Sequence, residues 1–344
     1  MFQKNIQKND KRMEWIDLTK VIATFMVLFQ HSSSALWTGI QPETYFWKMI
    51  HFPFILSRIA VLLFFMCSGS LMLSRERSIG VILKRNVIHL LKVYFFWMVI
   101  YGFFEVVSLY KEGLANLRVC INAVVKSILF GQYHTWFIFA LISLYLITPF
   151  LYYIVQDKKR MEYFLVISFV FTIMIPLLRS LEILQRFSDN LDNFHMYFVY
   201  GYILYYVLGY YISQMKWKKQ YTIFSFMVFV ISYGSSCILT LYDSLRSKAA
   251  SQEIFGEFSV FAFLTTVSFF GIIRSLENIR FPTILAKINA LGFGIYLIHP
   301  LFLNYIQSYS DSRIFIVIPL IYVVCIIICG IIAKSKILSF CLLK

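Results

Sequence analysis

Charge is scarce in this chain of 344 residues: Asp, Glu, Lys and Arg make up 14% of it, against about 25% in an average soluble domain. No Gly/Ser-rich linker, low-complexity tract or internal repeat interrupts it, so a string of tethered domains is excluded and a single domain over residues 1–344 is expected. Its six cysteines (Cys67, Cys120, Cys237, Cys325, Cys329 and Cys341) are scattered, mostly within apolar runs. They have neither zinc-ligand nor disulfide-framework spacing, and no metal is expected. Cys325 and Cys329 share a helix face and read as small packing residues. No small-residue cleavage site follows the first apolar run, and the polar stretch before it is too long for a cleaved signal. The first apolar segment is therefore expected to be retained.

What the chain has in quantity is apolar surface. Hydrophobic residues are 60% of it and aromatic residues 19%, with 36 Phe and 23 Tyr, and the mean hydropathy is +0.73. No soluble core uses that much; the composition predicts an all-α, polytopic membrane protein in contact with lipid. Apolar runs near the length of a bilayer crossing predict about ten transmembrane helices, at 14–37, 52–73, 88–110, 136–155, 163–181, 194–213, 221–242, 255–273, 288–308 and 314–333. Segments placed in the cytoplasm by this alternation carry twenty of the 32 Lys and Arg residues. Outer segments carry nine, and Lys20, Arg58 and Lys92 fall inside spans. By the positive-inside rule both termini are cytoplasmic. The net charge of +15 is thereby a topology signal, and nucleic acid is not expected as a partner. Between the third and fourth spans, Leu114, Leu117, Ile121, Val124, Val125, Ile128 and Leu129 recur at helical spacing with Asn116, Arg118, Asn122 and Lys126 between them. This predicts an amphipathic helix on the outer membrane surface, with a re-entrant element as the alternative.

The most informative stretch is IDLTKVIATFMVLFQH in the first span. At about 100° per residue, the eleven steps from Lys20 to His31 close to within about 20° of three full turns. Asp17, Lys20, Thr24 and His31 therefore share one stripe, with Lys20 and His31 roughly 16 Å apart along the axis. A cation and an imidazole aligned inside a bilayer are costly, and such residues are functional by default.

The same stretch, continued to Ser32, resembles the first helix of the acyltransferase 3 family, integral membrane acyltransferases with Arg or Lys eleven residues before a His. RIAVLLFFMCSG from Arg58 resembles the family's second-helix pattern, with Leu62 where Pro is usual. HTWFIFALISLYLITPFL from His134 is similar to its fourth-helix signature, and GFGIYLIHPLF from Gly292 to its penultimate one. At the start of the third span, where the family often has Arg-x-x-Arg, this chain reads KRNVIHLLK, with Asn86 and His89 nearest those positions. No esterase-like domain of the kind that some longer members carry is expected. The resemblance implies transfer of an acyl group, acetyl from acetyl-CoA, to a hydroxyl of a cell-envelope glycan or lipid-linked precursor, at the bacterial plasma membrane. On that footing CoA docks at the cytoplasmic side near Lys20, Arg85 and His89, and the acceptor enters near Arg58 and the amphipathic helix.

Each candidate has a plainer reading beside it. His31 is a general base for the acceptor hydroxyl, or a hydrogen-bonding core residue. Lys20 holds phosphate, or snorkels to the surface with Asp17 as its ion-pair partner. Arg58 holds an acceptor anion or an oxyanion, or serves in a structural pair. Arg85 contacts CoA or only sets topology. Glu105 orients a base or pairs with Arg58. His134 and Trp136 line the substrate path or anchor the interface, and His299, before Pro300, lines the path or marks a helix break. Ser68-Gly69 lacks the surrounding turn of a nucleophilic serine and reads as close packing. His51 and His195 read as interface residues. Two rivals remain for the whole: an exporter or flippase of a lipid-linked saccharide, and a membrane sensor that binds without turnover. CoA binding separates the first, and turnover the second.

Overall fold

The computed structural model describes residues 12–180, 195–252, 254–307, 309 and 311–342. All regular secondary structure among them is helical. In chain order the helices are α1 Glu14–Gly39, α2 Tyr45–Ser57, α3 Ala60–Met72, α4 Ile79–Lys111, α5 Leu117–Phe130, α6 Trp136–Val155 and α7 Lys158–Ser180. They continue with α8 Tyr202–Gln214, α9 Lys219–Ser247, α10 Val260–Arg274, α11 Thr283–Ile298, α12 Ile314–Ile332 and α13 Lys336–Leu342. Each of the ten predicted spans overlaps one of these helices or, for α2 and α3, a pair; residues 195–201 and 255–259, predicted within spans, are turns before α8 and α10, and residues 181, 194 and 308 lie outside the described set. Seven stretches among the described residues are long and apolar enough to cross a membrane, α2 and α3 counting as one. The helix α1 is long but less apolar, because Gln30, His31 and three serines follow one another near its end.

Contacts divide the chain into two compact units, Met1–Arg75 with Leu151–Cys325, and Glu76–Phe150 with Ile326–Lys344. Within the first, α1 packs against α2, α3 and α11. Its hydroxyls bond its own carbonyls: Thr19 to Trp15, Thr24 to Lys20 and Ser33 to Phe29. This gives these three hydroxyls partners inside an apolar helix. The α3–α8 contact has no side chain between its backbones. A Cβ on Gly69 would run into the Tyr206 backbone, and one on Gly209 into that of Met66. Ser68-Gly69 is thus a packing site. Ser232 of α9 and Thr265 of α10 bond at 3.1 Å across another buried helix pair.

His51, read from the sequence as an interface residue, is fully buried within the protein. It stacks on Trp47, accepts the Trp37 Nε1–H at Nδ1 (3.3 Å) and lies 2.9 Å from the Cys237 carbonyl oxygen at Nε2. With Nδ1 accepting, Nε2 carries the proton and donates. The local pattern of a wet-end histidine gave way to an aromatic cage that its sequence neighbours Trp37 and Trp47 supply.

In the second unit α5 lies on α4. Ser127 donates to the Met98 carbonyl (2.8 Å), Tyr94 to that of Ile128 (3.0 Å), and a Cβ on Gly102 would press on Val124. Asn116 caps α5 through the Val119 N–H, and Gly131, at φ 69°, ends it. Ala123 and Ser127 face inward, while Leu117, Ile121, Val125 and Leu129 form an exposed apolar line. The predicted amphipathic helix is present, and its outward apolar line is the one a lipid-contacting helix needs.

Candidate functional site

The stripe on α1 runs along α11. Asp17 accepts from Asn289 Nδ2 at 2.5 Å, Thr24 Oγ1 would lie 3.2 Å from a Cβ on Gly292, and the His31 ring stacks on His299 with centroids 5.4 Å apart and planes 23° apart. Residue numbers rise together on both helices, so the two run parallel. The chain therefore makes an odd number of crossings between them, as the seven spans predicted between them require.

Asp17 is buried and has two partners, Asn289 and the Arg12 guanidinium at 2.5 Å. The expected pairing of Lys20 with Asp17 is not made; Lys20 has neither a side-chain hydrogen bond nor an ion pair among the described residues. Its charge acts on Cys67 in α3, as does that of Asp17. Around the same end, Glu14 accepts the Phe281 N–H at 2.7 Å, and Arg274 lies over the Trp15 ring at 5.2 Å while pairing with Glu277. The base of α1 is thus clamped by acids and rings, with one ammonium left over.

At the other end, His299 begins a single 3-10 turn that continues α11 through Pro300. Its Nδ1 is 2.7 Å from the Tyr296 carbonyl oxygen, so Nδ1 carries the proton and Nε2 the lone pair. His299 stands where the α-helix gives way to a 3-10 turn, and its ring faces His31. The two imidazoles share one site, and protonating both at 5.4 Å costs about 3 kcal/mol at an effective dielectric of 20.

Arg58 lies at the joint between α2 and α3, where its N–H and that of Ile59 bond carbonyls three residues back. Its guanidinium makes no hydrogen bond among the described residues. The carboxylate acting on it is Glu257. Glu257 in turn accepts from the Tyr202 hydroxyl, and its backbone carbonyl accepts from Tyr205 at 3.0 Å. Glu257 was missed in the sequence, although a carboxylate in Phe-Gly-Glu-Phe at the head of an apolar run is the kind of intramembrane acid that invites attention.

The remaining candidates belong to the second unit. Arg85 is exposed in a π turn over Ile82–Val87, and His89, half-buried, follows it. Glu105 is exposed on α4. His134 is buried against the Tyr101 and Tyr133 rings, at centroid distances of 5.6 and 5.3 Å, and Trp136 is half-exposed at the start of α6. Among the described residues no group of His, Cys, Asp and Glu is arranged to hold a metal ion.

Comparison with known proteins agrees with the motifs. The chain is similar to proteins named probable poly-beta-1,6-N-acetyl-D-glucosamine export protein from Staphylococcus aureus. It is 21% identical to that of strain Mu50 and 20% to that of strain MSSA476, over 234 residues in each case. These matches cover 62% of this chain and 63% of the relatives' length. No solved structure matches. A family profile described as an acyltransferase domain matches residues 13–334. Since that match takes in α1, the Arg58 joint and the His299 turn together, the chain belongs to the acyltransferase 3 family.

Proposed function

We propose that this protein transfers an acyl group, acetyl from acetyl-CoA, to a hydroxyl of a cell-envelope glycan or its lipid-linked precursor in the bacterial plasma membrane. The observation that carries the reading is the stacking of His31 on His299 at one end of the stripe that starts at Lys20. The acceptor oxygen attacks the thioester carbonyl as its proton passes to an imidazole of the pair. The C–S bond then breaks, and the departing thiolate takes the proton from the imidazolium. Lys20, with its ammonium uncommitted, receives a phosphate or pantetheine oxygen of the donor. Arg58 steadies the acceptor or the oxyanion, its charge balanced by Glu257.

Poly-beta-1,6-N-acetyl-D-glucosamine, the polymer in the relatives' name, is the first acceptor to try. That same name favours a second reading, export of a saccharide without acylation. Mass spectrometry of envelope glycans from cells with and without the protein decides between them. An added acyl mass that depends on the protein supports transfer. Unchanged masses together with a loss of surface glycan support export.

A further inference from the structure

We propose that the cleft beside the C-terminal end of α7 is a saccharide subsite, holding a sugar unit of the acceptor remote from the reacting hydroxyl. The inference rests on the acyl-transfer reading for the identity of the ligand, and on the cleft itself for its place. The cleft measures about 300 Å³ and is lined by Phe171, Ile175, Pro176, Arg179, Met196, Tyr197 and Tyr200. That volume is at the small end of the range of about 300–1,000 Å³ for small-molecule sites.

The fold builds this cleft at a break in the helix. Pro176 has no N–H to give the Thr172 carbonyl, and its ring crowds that oxygen. The helix relaxes there into a π turn over Val170–Met174, a device often found at functional sites. Thr172 then uses its hydroxyl oxygen to accept the Gly201 N–H at 2.9 Å, which fixes the facing wall, Met196 to Tyr200, against α7. Gly201 turns at φ 89°, where a side chain would be strained.

The lining chemistry suits a pyranose. Ring faces of Phe171, Tyr197 and Tyr200 can meet the C–H face of a sugar, while the Arg179 guanidinium and two phenols offer donors to its hydroxyls. An acyl chain of a lipid has no use for those polar groups. Packed rings connect the wall of the cleft to the residues around Arg58. Tyr200 meets Phe258 (5.3 Å), Phe258 meets Tyr202 (5.1 Å), and Tyr202 stacks on Phe65 (4.5 Å). Tyr202 bonds Glu257, whose charge acts on Arg58. An acceptor longer than one sugar can thus lie with one unit on this aromatic wall and another toward Arg58.

The test uses the full-length protein in lipid nanodiscs, with N-acetylglucosamine and its β-1,6-linked tetramer as probes, and reads binding by calorimetry apart from turnover. Tyr200→Ala and Arg179→Gln should each weaken tetramer binding about five- to tenfold and leave the monomer unchanged. Tyr200→Phe, which keeps the ring and loses only the hydroxyl, should weaken tetramer binding clearly less than Tyr200→Ala does. Tetramer binding that is absent or indifferent to both substitutions, or lost equally for both probes, overturns the proposal. So does a cleft that instead takes phosphatidylglycerol in an Arg179-dependent way. Because binding is measured without reaction, a protein that holds the tetramer through Tyr200 but never transfers an acyl group keeps the subsite and loses the proposed function. Acyl transfer that proceeds unchanged in both variants does the reverse.

Discussion

A lysine in an apolar helix with an aspartate one turn away ordinarily takes that aspartate as its partner. Here Arg12 and Asn289 occupy Asp17 first, and the Lys20 ammonium is left for something else. If that something is the donor's phosphate, Lys20→Gln should weaken CoA binding about ten- to a hundredfold, the worth of one charged hydrogen bond. A short thioester lacking the nucleotide should react almost as well as before. Equal losses with both donors, measured side by side, would point to damaged insertion instead. The histidine pair gives a sharper expectation. A general base contributes about 10²–10⁴ in rate, so His31→Ala should remove nearly all acyl transfer while CoA binding persists. His31→Gln retains size and a hydrogen bond but takes up no proton, and should fail as badly. A Gln variant with near-normal turnover would remove His31 from the chemistry and put export ahead. Transfer by the wild type should also decline as pH falls, because the pair must be unprotonated to accept the hydroxyl's proton.

At the scale of the element, the glycine seam between α3 and α8 divides its residues from glycines that merely sit in helices. Gly209→Ala places a methyl group in the Met66 backbone and should destabilise by about 1–3 kcal/mol, as overpacking does. Gly234→Ala, in α9 with open space around it, should instead gain about 0.5–1 kcal/mol from helix propensity. Thermal unfolding in one detergent would rank the two against the wild type, and an equal effect would deny the seam. What could be read from sequence follows the same division. The stripe Asp17–Lys20–Thr24–His31 was legible because helical periodicity fixes which residues share a face. That α11 is the helix it faces was not, since nothing local encodes a partner hundreds of residues away. Glu257 escaped because it lies in an irregular segment before α10, where no period applies, and Glu105 looked a fitting partner for Arg58 on charge alone. The cage around His51 was only half legible: Trp47, four residues before it, shares its helix face, whereas Trp37 reaches it from α1 across a turn the periodicity does not describe.

At the scale of the molecule, the parallel run of α1 and α11 and the distribution of Lys and Arg make one statement about topology. A reporter fused after Lys344 should behave as cytoplasmic, and one inserted between Ala249 and Ala250, beyond the end of α9, as external. Labelling of both on one side would break the alternation of spans. The same α1–α11 contact has a consequence for how the protein is made. Asp17 and Asn289 are 272 positions apart, and at about 5–20 residues per second a ribosome needs roughly 14–54 s to cover that distance. For all that time the first helix stands in the bilayer before its partner helix exists. The continuous α2–α3 stretch, synthesised next and packed on α1, is what can shelter its polar stripe meanwhile. Nascent chains arrested before α11 should therefore already hold α1 in place, and become competent for CoA only once translation has passed His299.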